Sequence, residues 1–309
     1  LVMMSCFGLL NCSYDNSAEE LQIILDRIEN YKSYDESQYP LGYFTEDRFR
    51  SDAEFAQTQI EALQKLDMDK LSQSDRISVE LQLFVLQEQI DYFQFNAFLN
   101  PLLSDAGFHN DLAYEVRTLD NKKQLEDYLN KLRALPVFVD QHLDLLNQGI
   151  ARGITQPRVI FEGYESSYND HITERAVDNF YFRPFLNLPD NYSLAQKDSI
   201  MQLGEKLIDE TLVPQFKRIK SFFENVYFPA ARQSIGVSEI PDGAAYYQNR
   251  VAYYTTLDLT PSEVHQMGLD EVDRIHQEML DIISQLGFKG DFASFLEYLR
   301  SDPQFYASS

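Results

Sequence analysis

The sequence contains no tryptophan, two cysteines and five histidines among its 309 residues. Both cysteines, Cys6 and Cys12, fall within the first 12 residues, which excludes a disulfide framework and a cysteine-based zinc module. Basic residues are also scarce, since 26 Lys and Arg face 49 Asp and Glu and the formal net charge is −23. This charge excludes nucleic acid as a partner, because phosphate binding needs clustered Lys and Arg side chains.

Long hydrophobic runs are missing as well. The apolar run LVMMSCFGLL at residues 1–10 is much shorter than the roughly 20 residues that a membrane-spanning helix needs. Hydrophobic residues make up 44% of the chain and aromatic residues 13%, which is too rich for a disordered acidic chain. The sequence therefore indicates an acidic, folded protein, long enough for one large domain or two ordinary ones.

Residues 1–16 predict an export signal or the tether of a lipoprotein. The apolar run has the length of the core of a secretory signal, and no basic segment precedes it, so we expect the true start to lie upstream. Cys12 is the predicted lipid-attachment residue, and Cys6 is the alternative. Export without a lipid, or a buried N-terminal strand, stays open. We expect a protein of the cell envelope or periplasm that contacts the membrane only through such an anchor.

From residue 17 onward the apolar residues recur with helical spacing, and no segment alternates polar and apolar residues in the manner of a strand. We therefore predict an all-α fold, a multi-helix array over residues 17–309, with a candidate internal boundary near 150–157. The predicted helices begin at a Ser17 capping box and continue over about 45–71, 79–93, 121–133 and 136–152, then from Ser193 with a bend near Pro214 and an end near Pro229.

The last predicted long helix has the clearest start and end. Thr260 is its N-cap, Pro261 occupies the first turn, and Glu263 completes a capping box, while Gly287 stops the helix. Its apolar residues form a stripe, which is Val264, Gly268, Val272, Ile275, Met279, Ile282 and Leu286.

The motifs of several enzyme classes are absent from the sequence. No histidine begins an H-E-x-x-H zinc helix, and there is neither a G-x-S-x-G elbow nor a glycine loop for phosphate. His265 and His276 are separated by about 16 Å along one helix, too far to share a metal ion. We therefore predict no catalytic residue and no metal ligand within this sequence.

Tyrosine pairs near residue 250 are the remaining unusual feature. Tyr246, Tyr247 and Tyr254 lie close in sequence to Arg250, which is suited to binding a carboxylate. These four residues are our candidates for substrate binding in a cleft. Aromatic packing in the core, with hydroxyl groups at its edge, is the alternative interpretation.

Residues 241–306 resemble a known bacterial family. The strings PDGAAYYQNRVAYYTTLDLTPSEVHQMGLDEVDRIHQEM, LGFKGDF and FLEYLRSDPQFY are similar to the family catalogued as domain of unknown function 885. The resemblance implies a larger, mostly helical, zincin-like metallopeptidase whose H-E-x-x-P-G-H-H motif lies in its C-terminal half. This sequence ends at Ser309 before any such motif, so we expect an N-terminal portion without the catalytic half.

The resemblance implies an exported zinc-dependent peptidase that hydrolyses peptide substrates. In that interpretation the present helices form the wall of a substrate channel, zinc belongs to the full-length protein, and this chain alone is inactive. The alternative is a non-catalytic helical lipoprotein of the envelope that binds a ligand or serves as a scaffold.

Overall fold

The computed structural model describes residues 17–103 and 106–307, and most of these residues are helical. Within them there is no β-strand, only two isolated bridges, so the predicted all-α fold is confirmed. The predicted lipid-attachment residues Cys6 and Cys12 lie outside the described residues. The α-helices are α1 (Ser17–Glu29), α2 (Glu46–Leu63), α3 (Gln73–Gln94), α4 (Lys122–Ala151), α5 (Ser166–Asn169), α6 (Arg183–Leu186), α7 (Leu194–Leu207), α8 (Val213–Phe222), α9 (Phe228–Ala230), α10 (Gly243–Thr255), α11 (Pro261–Gln285) and α12 (Phe292–Ser301).

The chain consists of two compact units, and the boundary between them lies between Gly243 and Ala244. The predicted internal boundary near 150–157 falls in a connector inside the first unit. Its start is fixed by Gly149 at the end of α4, where an added Cβ would come within 2.8 Å of the backbone oxygens of Leu99 and Ile154. Only glycine permits so close an approach of the two backbones.

Helices α1, α2 and α3 share one apolar cluster, formed by Leu21, Ile24, Ala56, Ile60, Leu63, Leu66, Leu71, Val79 and Leu86. The predicted second helix, 45–71, is too long. It ends at Leu63, and a short 3₁₀ turn follows because the Asp67 side chain accepts a hydrogen bond from the backbone of Asp69 and starts a new turn. Thr45 caps α2 as a side-chain acceptor for the Arg48 amide.

Helix α4 is one helix of 30 residues, whereas the sequence predicted two, at 121–133 and 136–152. Pro136 lies inside it and removes one backbone donor. The helix continues because apolar residues on both sides of the proline are buried against the same core, namely Leu129, Leu132, Leu135, Val139 and Leu146. Burial of this continuous face offsets the lost hydrogen bond.

The segment from α7 to α9 contains two π-helical turns, each directly before a proline-containing helix. Ile208–Leu212 precedes α8 with Pro214, and Phe223–Tyr227 precedes α9 with Pro229. A wider turn accommodates the missing proline donor, and π turns commonly bend helices. The predicted end near Pro229 is confirmed, because α9 stops at Ala230, and a π turn lies directly before the predicted bend at Pro214.

The second unit contains most of α10 and the whole of α11 and α12. The predicted capping box is confirmed, because the Thr260 amide donates to Glu263 Oε2 at 2.8 Å and the Glu263 amide donates to Thr260 Oγ1 at 3.2 Å. The predicted apolar stripe is largely exposed, with Val272 at 64% and Ile282 at 53%, while Ile283 is buried.

Among the residues that the structure describes, no helix is both long enough and apolar enough to cross a bilayer.

Candidate functional site

Helix α10 gathers an arginine and two tyrosines on one face. The guanidinium carbon of Arg250 lies 5.4 Å from the ring centroid of Tyr246 and 4.8 Å from that of Tyr253. Spacings of four and three residues place these side chains next to each other along the helix. The structure thus brings two predicted site residues together and adds Tyr253, which the sequence analysis did not select.

Tyr247 and Tyr254, the other two predicted residues, lie two helical turns apart and are exposed, at 45% and 78%. The ring of Tyr254 packs edge-to-face against Tyr253 at 5.1 Å. The four predicted residues therefore all lie on α10 between positions 246 and 254, with Tyr246 and Arg250 half-buried, and we call them the α10 patch.

A cavity of about 660 Å³ lies in the first unit, between α2, α3 and α4 and the turns that join α3 to α4. Five aromatic side chains line it, which are Phe44, Phe49, Tyr92, Phe98 and Phe108. Phe49 stacks on Phe98 with centroids 4.9 Å apart. The volume is within the range of small-molecule sites, and the walls are apolar as in most such sites.

His142 on α4 lines this cavity and is only 2% exposed. Its ring stacks on Phe108 with centroids 4.5 Å apart and planes at 5°. Nδ1 lies 2.9 Å from the Phe138 carbonyl, and a carbonyl can only accept, so Nδ1 carries the proton and Nε2 is an acceptor. Burial lowers the pKa of His142 to about 4, which keeps the ring neutral near pH 7.

Asn100 also lines the cavity, and a relay of hydrogen bonds fixes its amide. The backbone N–H of Gln156 donates to the Tyr227 hydroxyl oxygen at 3.1 Å, and the Tyr227 hydroxyl donates to Asn100 Oδ1 at 3.0 Å. Burial raises the pKa of Tyr227 to about 12, so the hydroxyl keeps its proton. This arrangement leaves the Asn100 Nδ2 group as a hydrogen-bond donor on a residue that lines the cavity.

The Asp, Glu, Lys and Arg residues that line the cavity are mostly acidic, and they are Arg48, Asp52, Glu88 and Asp111. Arg48 Nε lies 2.7 Å from Asp52 Oδ2, so the single guanidinium is engaged by a carboxylate. The hydroxyl of Tyr31 donates to Asp52 Oδ1 at 3.1 Å. Desolvation by the surrounding protein raises the pKa of Asp111, which indicates that an anion is poorly stabilised there.

His109 directly follows Phe108, which lines the cavity, and is 3% exposed. Its Nε2 is 2.9 Å from Ser167 Oγ, whose hydroxyl donates to the Tyr164 carbonyl at 2.7 Å. The serine oxygen therefore accepts from Nε2–H, and Nδ1 is left as a buried acceptor without a partner among the described residues. Burial lowers the pKa of His109 to about 3, with a further contribution from His171.

Within residues 17–103 and 106–307, no group of three His, Cys, Asp or Glu side chains is arranged to hold a metal ion. His265 and His276 are exposed on α11, and the His276 ring packs against Phe292 at 5.0 Å.

The model of the bacterial family DUF885, described as a bacterial protein of unknown function, matches residues 31–309. The chain belongs to this family. The resemblance that the sequence indicated is therefore confirmed. A search of curated proteins found no match.

A solved structure has a fold similar to that of this DUF885 chain. It is described as the "putative lipoprotein" from Colwellia psychrerythraea, and it matches with a TM-score of 0.77 at 15% identity. The match covers 95% of this chain and 53% of that one, so the present chain spans about half the length of its structural neighbour. At this level of identity the likeness shows the fold alone.

The sequence analysis of the DUF885 chain did not assign a role to His142 or Asn100. For His142 a signal was present, because Leu135, Phe138 and Leu145 surround it at helical spacing and place it on an apolar face. For Asn100 no local signal exists, since Tyr227, the residue that orients its amide, is 127 positions away.

Proposed function

We propose that this chain forms the substrate-channel portion of an exported zinc-dependent peptidase, with the zinc centre in polypeptide outside residues 1–309. Membership of the DUF885 family supports the proposal, because the resemblance implies a metallopeptidase. The arrangement on α10 also supports it, because Arg250 lies beside two tyrosine rings and a planar guanidinium is suited to recognising carboxylates.

The envelope is the proposed location. The structural neighbour is described as a putative lipoprotein, and the first residues of this chain combine an apolar run with two cysteines, Cys12 and Cys6. Labelling of the full-length protein with a radioactive fatty acid tests the anchor. Loss of label in Cys12→Ser, but not in Cys6→Ser, would identify the attachment site, and an unlabelled wild type would exclude a lipid.

The peptidase proposal is tested on the complete gene product. We expect bound zinc, hydrolysis of peptides, loss of hydrolysis on chelation and recovery when zinc is restored. The present chain alone should be inactive. Hydrolysis that persists in a metal-free full-length protein, or zinc-dependent hydrolysis by residues 1–309 alone, would contradict the proposal.

The role of the α10 patch has its own test in the full-length enzyme. Arg250→Ala should raise KM about tenfold and change kcat less than twofold, because a charge-assisted hydrogen bond to a substrate carboxylate contributes roughly 1.5–3 kcal/mol. Arg274→Ala is the matched control, since Arg274 is an exposed arginine of the same unit that pairs with Glu271 and Glu278. Equal effects of both changes would exclude a substrate contact by Arg250.

A second candidate is a non-catalytic envelope protein that binds a small ligand. The cavity of the first unit favours it, because its aromatic walls enclose a neutral histidine and an oriented asparagine amide. A full-length protein without zinc and without hydrolysis, but with saturable ligand binding, would support this candidate over the peptidase.

A further inference from the structure

The cavity between α2, α3 and α4 has the features of a ligand site in its own right. Phe44 and Phe49, which are partly exposed, offer ring surface against which an aromatic ring gains area burial and about 0.5–1.5 kcal/mol of specific packing. A volume of about 660 Å³ holds one such ring with a few attached polar atoms.

Two polar groups at the cavity have their hydrogen-bond direction fixed by the protein. The Phe138 carbonyl takes the proton of His142 Nδ1, so Nε2 can only accept. The Tyr227 hydroxyl occupies Asn100 Oδ1, so Nδ2 offers donors. A ligand that carries one N–H and one C=O group, as an amide does, can satisfy both. A buried polar atom that is left without a partner costs free energy, so each group favours a complementary ligand.

The charges around the cavity select among such ligands. Three carboxylates and one guanidinium line it, and the guanidinium already pairs with Asp52. The Asp111 side chain forms neither a hydrogen bond nor an ion pair with another described residue. The Asp111 carboxylate therefore makes the potential beside it negative, which favours a cationic ligand and disfavours an anionic one.

We propose that this cavity binds a small aromatic amide that is cationic or neutral, such as an aromatic amino-acid amide. The aromatic ring packs among Phe44, Phe49 and Phe108, the ligand N–H donates to His142 Nε2, and the ligand carbonyl accepts from Asn100 Nδ2. An ammonium group, where present, lies towards Asp111. The proposal is independent of the peptidase and specifies what the binding-protein alternative would bind.

Residues 1–309 contain no tryptophan, so binding to this chain is directly measurable because its indole fluorescence comes from the ligand alone. Three probes share the ring and differ in charge: tryptophanamide is cationic, N-acetyltryptophanamide is neutral and N-acetyltryptophan is anionic. We expect the cation to bind at least tenfold more tightly than the anion, with the neutral amide in between. Chelator should not change the affinity, which separates this result from the outcome of the peptidase test. No saturation by any probe, or equal affinity for all three, would overturn the proposal.

Variants assign the binding to this cavity. Asp111→Asn should weaken the binding of the cationic probe about threefold and leave the affinity for the neutral probe unchanged. Asp209→Asn is the control, because Asp209 is exposed and does not line the cavity, and it should change neither affinity. His142→Phe keeps a ring against Phe108 but removes the acceptor, so it should weaken the neutral amide about five- to tenfold.

Asn100→Asp provides a check that does not depend on His142. The aspartate keeps an oxygen that accepts from the Tyr227 hydroxyl but has a second oxygen in place of the Nδ2 donor. The neutral amide should therefore bind about five- to tenfold more weakly. Circular dichroism establishes that each variant is folded, and Asp111→Asn, a surface change, keeps the test valid if a buried variant unfolds. Neutral-probe affinity that is unaffected in folded His142→Phe and Asn100→Asp would contradict the assigned contacts.

Discussion

Acidification from pH 7 to pH 5 should destabilise the first unit through two buried histidines, His109 and His142. Burial lowers their pKa values from 6.5 to about 3 and about 4. In the unfolded chain both take up a proton near pH 6.5, while in the folded protein neither does so above about pH 4. The unfolded state therefore binds more protons in this window, and stability falls as the pH falls.

The size of the effect follows from the two pKa values of each residue. At pH 5 proton uptake by the unfolded chain lowers the free energy of unfolding by about 2 kcal/mol per histidine, whereas at pH 7 it lowers it very little. The two histidines together therefore account for a loss of about 4 kcal/mol. Burial also lowers the pKa of His171, which acts in the same direction. A loss of this size is a large part of the 5–15 kcal/mol by which domains are typically stable.

Urea unfolding followed by circular dichroism at pH 7 and pH 5 measures the loss, and a double variant isolates its cause. His109→Gln keeps a side-chain donor for Ser167, and His142→Phe keeps the ring stack on Phe108. Neither replacement titrates. The double variant should lose about 4 kcal/mol less than the wild type between the two pH values, and each single variant about 2 kcal/mol less. An equal pH dependence in wild type and double variant would refute the reasoning, because protonation of carboxylates is common to both.

Three further predictions concern the packing of side chains and the capping of α11. Gly204→Ala should destabilise the first unit by about 1–3 kcal/mol in urea unfolding, because the added Cβ would lie 2.7 Å from the Phe185 ring; an unchanged midpoint would show that the ring moves freely. Ile283→Ala should lower the free energy of unfolding by about 2–4 kcal/mol in thermal melts, because Ile283 is buried. Ile282→Ala, at the exposed neighbouring position, should lower it by less than about 0.5 kcal/mol. Equal losses in the two variants would contradict the burial pattern. Thr260→Ala should cost about 1 kcal/mol by loss of the capping box, which Thr260→Ser should largely restore.

The sequence predicts those parts of the fold that depend on neighbouring residues. The capping box at Thr260 and the helix end near Pro229 each involve groups within a few positions, and both are confirmed. Errors occur where distant packing overrides the local signal. The sequence around Pro136 predicts a break between two helices. Burial of apolar residues on both sides of Pro136 nevertheless keeps α4 continuous.

The same distinction applies to the candidate sites. The patch around Arg250 was predictable because its members lie on one helix at spacings of three and four residues. The cavity was not, because Phe44, Asn100 and His142 come from three separate segments. The direction of the Asn100 amide depends in turn on Tyr227, which no spacing rule connects to it.

The exposed stripe of α11 shows what amphipathic spacing does and does not establish. The apolar positions of α11 recur at three and four residues and the helix forms as predicted, yet Val272, Ile275 and Ile282 are exposed. The buried residue, Ile283, lies about 100° further round the helix than Ile282. Periodicity thus identifies an apolar face correctly, whereas burial depends on which other element packs there, and that information is not contained in the helix itself.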